Sequence, residues 1–123
     1  MREAGVLMPV SALPSSVGAG ELGEAAFHFI ELLKKNHVRI WQILPLNPVG
    51  YGNSPYQPYS SCAGDDIYIS LDTLAEEGLL KKSPMPFLEK CKKVDYERVR
   101  QYREPYLRAA FMAFVEQKGY EKP

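Results

Sequence analysis

No apolar run in this chain of 123 residues approaches the roughly 18 residues that a membrane-spanning helix needs, so no membrane partner is expected. Cysteine is scarce. Cys62 and Cys91 form no CxxC pair and have no histidine at metal-ligand spacing, so reduced thiols in a cytoplasmic protein are expected and a disulfide is not. Net charge is absent too, because 15 basic residues cancel 15 acidic ones. Without a basic stripe to hold a phosphate backbone, nucleic acid is excluded as a partner. The opening residues, Met1 to Pro9, hold too short an apolar stretch, with an acidic flank, for a secretory signal. The common catalytic fingerprints are missing. No serine sits in a Gly-x-Ser-x-Gly elbow, and Gly18-Ala19-Gly20 lacks the rest of a phosphate-cradling loop. His28 and His37 lie outside the short metal spacings and read as surface or partly buried structural residues, so no metal is expected.

What is present is a soluble composition, 46% hydrophobic and 24% charged, on a length that fits one ordinary domain. The most informative stretch is Gly50-Tyr51-Gly52-Asn53-Ser54-Pro55-Tyr56-Gln57-Pro58-Tyr59-Ser60. Its glycines permit positive φ and its prolines force extended geometry on their predecessors, so helix and sheet ladder are both disfavoured. An ordered loop displaying phenolic rings remains. A ring with a polar tip suits a ligand with an apolar face and a rim of hydroxyls, as sugars have. On residue types alone, that reading and the reading of tyrosines covering a core edge stand level.

Along the chain, Ala4–Val10 is a nearly continuous apolar run. From Glu21 to Asn36 the spacing of Leu22, Ala26, Phe29 and Leu33 predicts a helix, with Glu21 and Glu24 in its first turn. Val38–Leu44 then reads as a strand stopped by Pro45, which completes a strand–helix–strand unit with a parallel pair. Continuous apolarity predicts strands covered on both faces. Lone Trp41 reads as core and not as a sugar platform. Further on, Ile67-Tyr68-Ile69 suggests a brief strand, and Leu71–Leu80 a helix capped by Asp72 and stopped by Gly78. Ser83–Pro86 reads as a break. Asp95 caps a longer helix, which Pro105 should kink or divide and Gly119 should end, before a frayed tail at Tyr120–Pro123. The neighbouring Asp65 and Asp66 read as solvated loop charges. A single βαβ unit with open strand edges would be an aggregation liability standing alone, so the pattern is that of the beginning of something larger.

Read as a whole, the sequence resembles the N-terminal region of amylomaltases, the bacterial 4-α-glucanotransferases or disproportionating enzymes. The resemblance rests on Ala4–Ser15 with its Leu-Pro-Ser, on Trp41-Gln42-Ile43-Leu44-Pro45-Leu46, and on Gly50-Tyr51-Gly52-Asn53-Ser54-Pro55-Tyr56-Gln57. Glu76–Leu80 and Val94-Asp95-Tyr96 extend it, and Asp65-Asp66 departs from the expected continuation. It implies an α/β fold, a (β/α)₈ barrel of which Gly5–Val10 and Val38–Leu44 are the first two strands. Residues 1–66 would begin the barrel, with an active-site loop at 45–66, and residues 67–123 would belong to a helical inserted subdomain. The implied reaction is retaining transfer between α-1,4-glucans, using one carboxylate as nucleophile and a second as acid and base. No Asp or Glu here matches those residues, so none of the catalytic residues is expected in this chain. The substrate contacts that transfer are Tyr56, beside the glucose at the cleavage point, Ser54 as a nearby polar contact, and Tyr51 as a glucan contact farther away. The implied partners are maltooligosaccharides and the remainder of a parent polypeptide, with no cofactor. A stand-alone glucan-binding module without catalysis is the alternative.

Overall fold

The computed structural model describes residues 2–81, 93–118 and 121. The expected break at Ser83–Pro86, Cys91, the helix stop at Gly119 and most of the tail lie outside them. Two compact units form. One holds residues up to Ser15 with Ala19–Ile69, and the other holds Ser16–Gly18 with Ser70 onwards.

The first unit is built on a parallel pair of short strands. β1 (Gly5–Leu7) and β2 (Ile40–Gln42) align Gly5 with Ile40, Val6 with Trp41 and Leu7 with Gln42. Both lie inside the runs expected as strands and are shorter. The expectation of cover on both faces fails within this chain, because Leu7, Ile40 and Ile43 are exposed. Helix α1 (Glu24–Lys35) connects the strands. It starts three residues later than its periodicity suggests, because Gly20–Gly23 is tied elsewhere. The Gly20 N–H donates to Ser11 O (3.1 Å) and the Leu22 N–H to Tyr68 O (2.9 Å). Glu21 is therefore buried ahead of the helix and not part of its first turn, and Leu22 is exposed. The helix ends in a Schellman arrangement: the His37 N–H donates to Lys34 O and the Val38 N–H to Leu33 O. His37 occupies the left-handed position at φ 58°, so its role here is to terminate a helix.

The core of this unit gathers Val10, Leu13 and Ala26, with Met8, Phe29, Trp41, Leu46 and Tyr68 packed against them. Trp41 is core, as read from the sequence. It meets Phe29 edge-on at 5.1 Å and donates its Nε1–H to Met8 O at 2.8 Å, pinning the end of β1 to β2. Gly20 closes the turn after β1. A Cβ there would sit 2.0 Å from the Val10 carbonyl oxygen and 2.8–2.9 Å from Leu13 backbone atoms, so only glycine fits.

Two readings near the end of this unit are overturned. Asp66–Tyr68 is a 3-10 turn and not a strand, because the buried Asp65 caps it by accepting the Ile67 N–H (3.1 Å). Asp65 is thus a structural cap and not a solvated charge.

In the second unit, α2 (Leu71–Glu76) is capped by the Ser70 hydroxyl and not by Asp72, and Gly78 at φ 76° stops it. α3 (Tyr96–Glu116) begins at its Asp95 cap, as expected. It runs through Pro105 as one element of 21 residues. Val99, Arg103 and Ala110 are buried along it, and this burial outweighs the hydrogen bond that proline removes. Tyr102 stacks at a tilt on Tyr106 (5.4 Å), and burial, aided by Tyr106, pushes its hydroxyl pKa up to about 12. No helix among the described residues is long and apolar enough to cross a membrane.

Candidate functional site

Because β1 and β2 are parallel, their C-terminal ends lie at the same edge of the sheet. Beyond the end of β2 the chain makes a long excursion before returning to the core. Backbone and side-chain hydrogen bonds close its neck. The Asp65 N–H donates to Leu46 O (2.7 Å), and Asn47 Nδ2 donates to Ala63 O (2.8 Å). Ser60 Oγ accepts from the N–H groups of Cys62 and Ala63, each at 3.2 Å, which shapes the return path.

Above the neck the loop forms a short antiparallel ladder, which its proline and glycine content argued against. The Tyr59 N–H donates to Pro48 O (3.0 Å), Val49 bridges Pro58, and the Gly50 N–H donates to Gln57 O (3.2 Å). The prolines are tolerated because the ladder is brief and Pro48 and Pro58 supply carbonyls or pair where no amide is required. Two turns cap it. In the first, the Asn53 N–H donates to Gly50 O (3.2 Å), with Gly52 at φ 85° in the position where a type II turn needs glycine. Asn53 follows at φ 54°, which asparagine tolerates. In the second, the Gln57 N–H donates to Ser54 O (3.1 Å), with Pro55 in the position it favours.

This framework places all three tyrosines at the surface: Tyr51 is 98% exposed, Tyr56 72% and Tyr59 79%. The reading of rings covering a core edge is therefore set aside. Tyr56 and Ser54 are brought together. Ser54 Oγ accepts the Tyr56 N–H at 3.4 Å, leaving its own O–H free to donate outward. Tyr51 stands apart in the first turn. From Leu46 to Gly64 the sequence has no Asp or Glu, and Asp65 is engaged as a cap. The loop can stack on and hydrogen-bond to a polyhydroxylated ligand. It cannot itself supply a carboxylate pair for acid–base work. Cys62 is a free, exposed thiol. Among the described residues, no three His, Cys, Asp or Glu side chains gather as a metal site. Sequence reasoning missed the supports: Asn47 at the neck, Gly50 beneath Tyr59 and Gly20 behind β1. Alternation of Gln57 and Tyr59 after a turn was the available signal for the ladder.

Comparison with known proteins places this geometry. The glycoside hydrolase 77 family model, described as 4-alpha-glucanotransferase, matches residues 8–122. The 4-alpha-glucanotransferase of Streptococcus pneumoniae is 41% identical over 98% of this chain, and that of Synechocystis 44% identical over 92%. An amylomaltase from Streptococcus agalactiae, solved in complex with acarbose, superposes with a TM-score of 0.87 at 35% identity over 94% of the chain. The chain spans about a quarter of the length of the relatives it matches: 25%, 23% and 24%. A parallel strand pair carrying an exposed Gly-Tyr-Gly-Asn-Ser-Pro-Tyr-Gln loop and a match over nearly all its residues thus agree, and the chain belongs to the 4-alpha-glucanotransferase family.

Proposed function

We propose that this chain is the N-terminal segment of a cytoplasmic 4-alpha-glucanotransferase that moves α-1,4-glucan pieces between maltooligosaccharides. In this reading β1 and β2 are the first two strands of a (β/α)₈ barrel, and residues 45–66 form a loop at its active-site face. Residues 67–123 belong to a helical subdomain. The observation that carries the reading is the ordered loop leaving the C-terminal end of a parallel strand with Tyr56 and Tyr51 exposed and Ser54 bound to the Tyr56 backbone.

Within the site, Tyr56 offers a flat ring to the apolar face of the glucose at the cleavage point, with its hydroxyl at the rim. Ser54 holds the Tyr56 backbone and donates its own proton to a sugar oxygen. Tyr51 meets the glucan farther out. The nucleophile and the acid/base are carboxylates contributed from outside this chain, and they work by double displacement with an acceptor glucan in place of water. A free-standing glucan-binding module is less well supported, because Leu7 and Ile40 stay exposed on the two strands.

The test is direct. Full-length protein incubated with maltotriose should yield glucose and a ladder of longer maltodextrins, while the 123-residue chain alone should yield neither. A ladder from the chain alone would overturn the placing of the carboxylates. The absence of one from the full-length protein would overturn the function.

A further inference from the structure

Tyr59 is not among the contacts that the family resemblance supplies, yet its surroundings single it out. Gly50 and Tyr59 lie on facing strands of the loop ladder, with the Val49–Pro58 bridge between them. In an antiparallel pair, such diagonal neighbours share a face and long side chains reach across. The ring of Tyr59 does reach across. Its Cε1 and Cζ lie 3.6 Å from the place a Cβ on Gly50 would take. The ring thus lies against the Gly50 side of the ladder while the side chain as a whole stays 79% exposed.

We propose that Tyr59 is a further glucan-stacking ring, held in advance across Gly50, which receives sugar units beyond the one at the cleavage point. The inference rests on the glucanotransferase reading above. A sugar ring presents an apolar C–H face and a rim of hydroxyls, and a tyrosine offers a matching flat surface with a polar tip. Binding ordinarily costs rotamer freedom of each side chain that becomes fixed. A ring already resting on the ladder loses less of it than a ring at the tip of a turn, where Tyr51 stands 98% exposed. At 3.6 Å from the place of a Gly50 Cβ, the ring lies within ordinary contact of the facing strand.

The consequence is dependence on glucan length. In the full-length protein, Tyr59→Leu should still cover Gly50 but lose the flat face. It should raise KM for maltoheptaose about fivefold, on the scale of one aromatic contact, while changing kcat and the KM for maltotriose less than about twofold. Tyr59→Phe should keep most of the affinity. An unchanged KM for maltoheptaose in Tyr59→Leu with a normal Tm would mean that the ring only covers the glycine, and the proposal would fall. Should leucine destabilise the loop, Tyr59→Trp decides: its larger ring should hold KM for maltoheptaose at or below the unsubstituted value, and a several-fold rise would overturn the assignment. Failure of the underlying reading is a different result, in which the unsubstituted full-length protein makes no ladder from maltotriose.

Discussion

The strand–helix–strand unit and the tyrosine loop that follows it are ordered by different forces. In β1–α1–β2, side chains do the work. Val10, Leu13 and Ala26 are buried, Phe29 and Trp41 pack edge-on, and Gly20 lets two backbone segments touch. In the loop, burial contributes little, since its three rings are outside, and shape comes from backbone hydrogen bonds, paired turns and side-chain caps. Substitutions in the first region should therefore lower stability. Substitutions of the rings in the second should leave stability almost untouched and act on glucan handling. A loop that holds its shape without burying its rings keeps them free for a ligand.

The tightest packing in the first region is at Gly20. Gly20→Ala would place a Cβ 2.0 Å from the Val10 carbonyl oxygen, which no side-chain movement relieves. We expect a loss of about 3 kcal/mol or more, or failure to accumulate as folded protein, read by thermal or urea unfolding. Trp41→Phe is gentler. It retains an aromatic against Phe29 but removes the donor to Met8 O, and should cost about 1–2 kcal/mol with kcat little changed in the full-length protein. Gly52→Ala sharpens the contrast from the loop side. Gly52 sits at φ 85° with open space around it, so alanine meets backbone strain and no clash. The cost should be about 1 kcal/mol, with a measurable rise in KM as the turn beside Tyr51 shifts.

The two regions also differed in how far they could be read in advance. The βαβ unit was legible because period-3.6 spacing and a β-branched run report burial, and burial is what orders it. Its helix start was misplaced because long-range bonds to Ser11 and Tyr68 outweigh the local pattern at Gly20 and Leu22. The same limit hid Asp65, whose carboxylate caps Ile67, and Ser70, which takes the cap expected of Asp72. Of the kink or division expected at Pro105, the division does not occur, as burial of Val99, Arg103 and Ala110 holds the helix as one element. In the loop, the motif at Tyr51, Ser54 and Tyr56 was legible as a likeness to a family. The ladder beneath it was not, because Pro and Gly content argues against pairing and two hydrogen bonds flanking the Val49–Pro58 bridge suffice to make it.

We propose that the loop presents Tyr56 to the reacting sugar and does not use it for packing. Measuring kcat, KM and Tm together for Tyr56→Ala in the full-length enzyme, with maltotriose as substrate, tests this most directly. Tyr56 is 72% exposed, so Tm should move by no more than a degree or two. If the ring contact persists as the sugar flattens towards the transition state, kcat should fall about 10–100-fold. Tyr51→Ala, measured alongside, should mainly raise KM for longer glucans. A Tyr56→Ala enzyme with near-normal kcat and a clearly lowered Tm would return the tyrosine to a packing role.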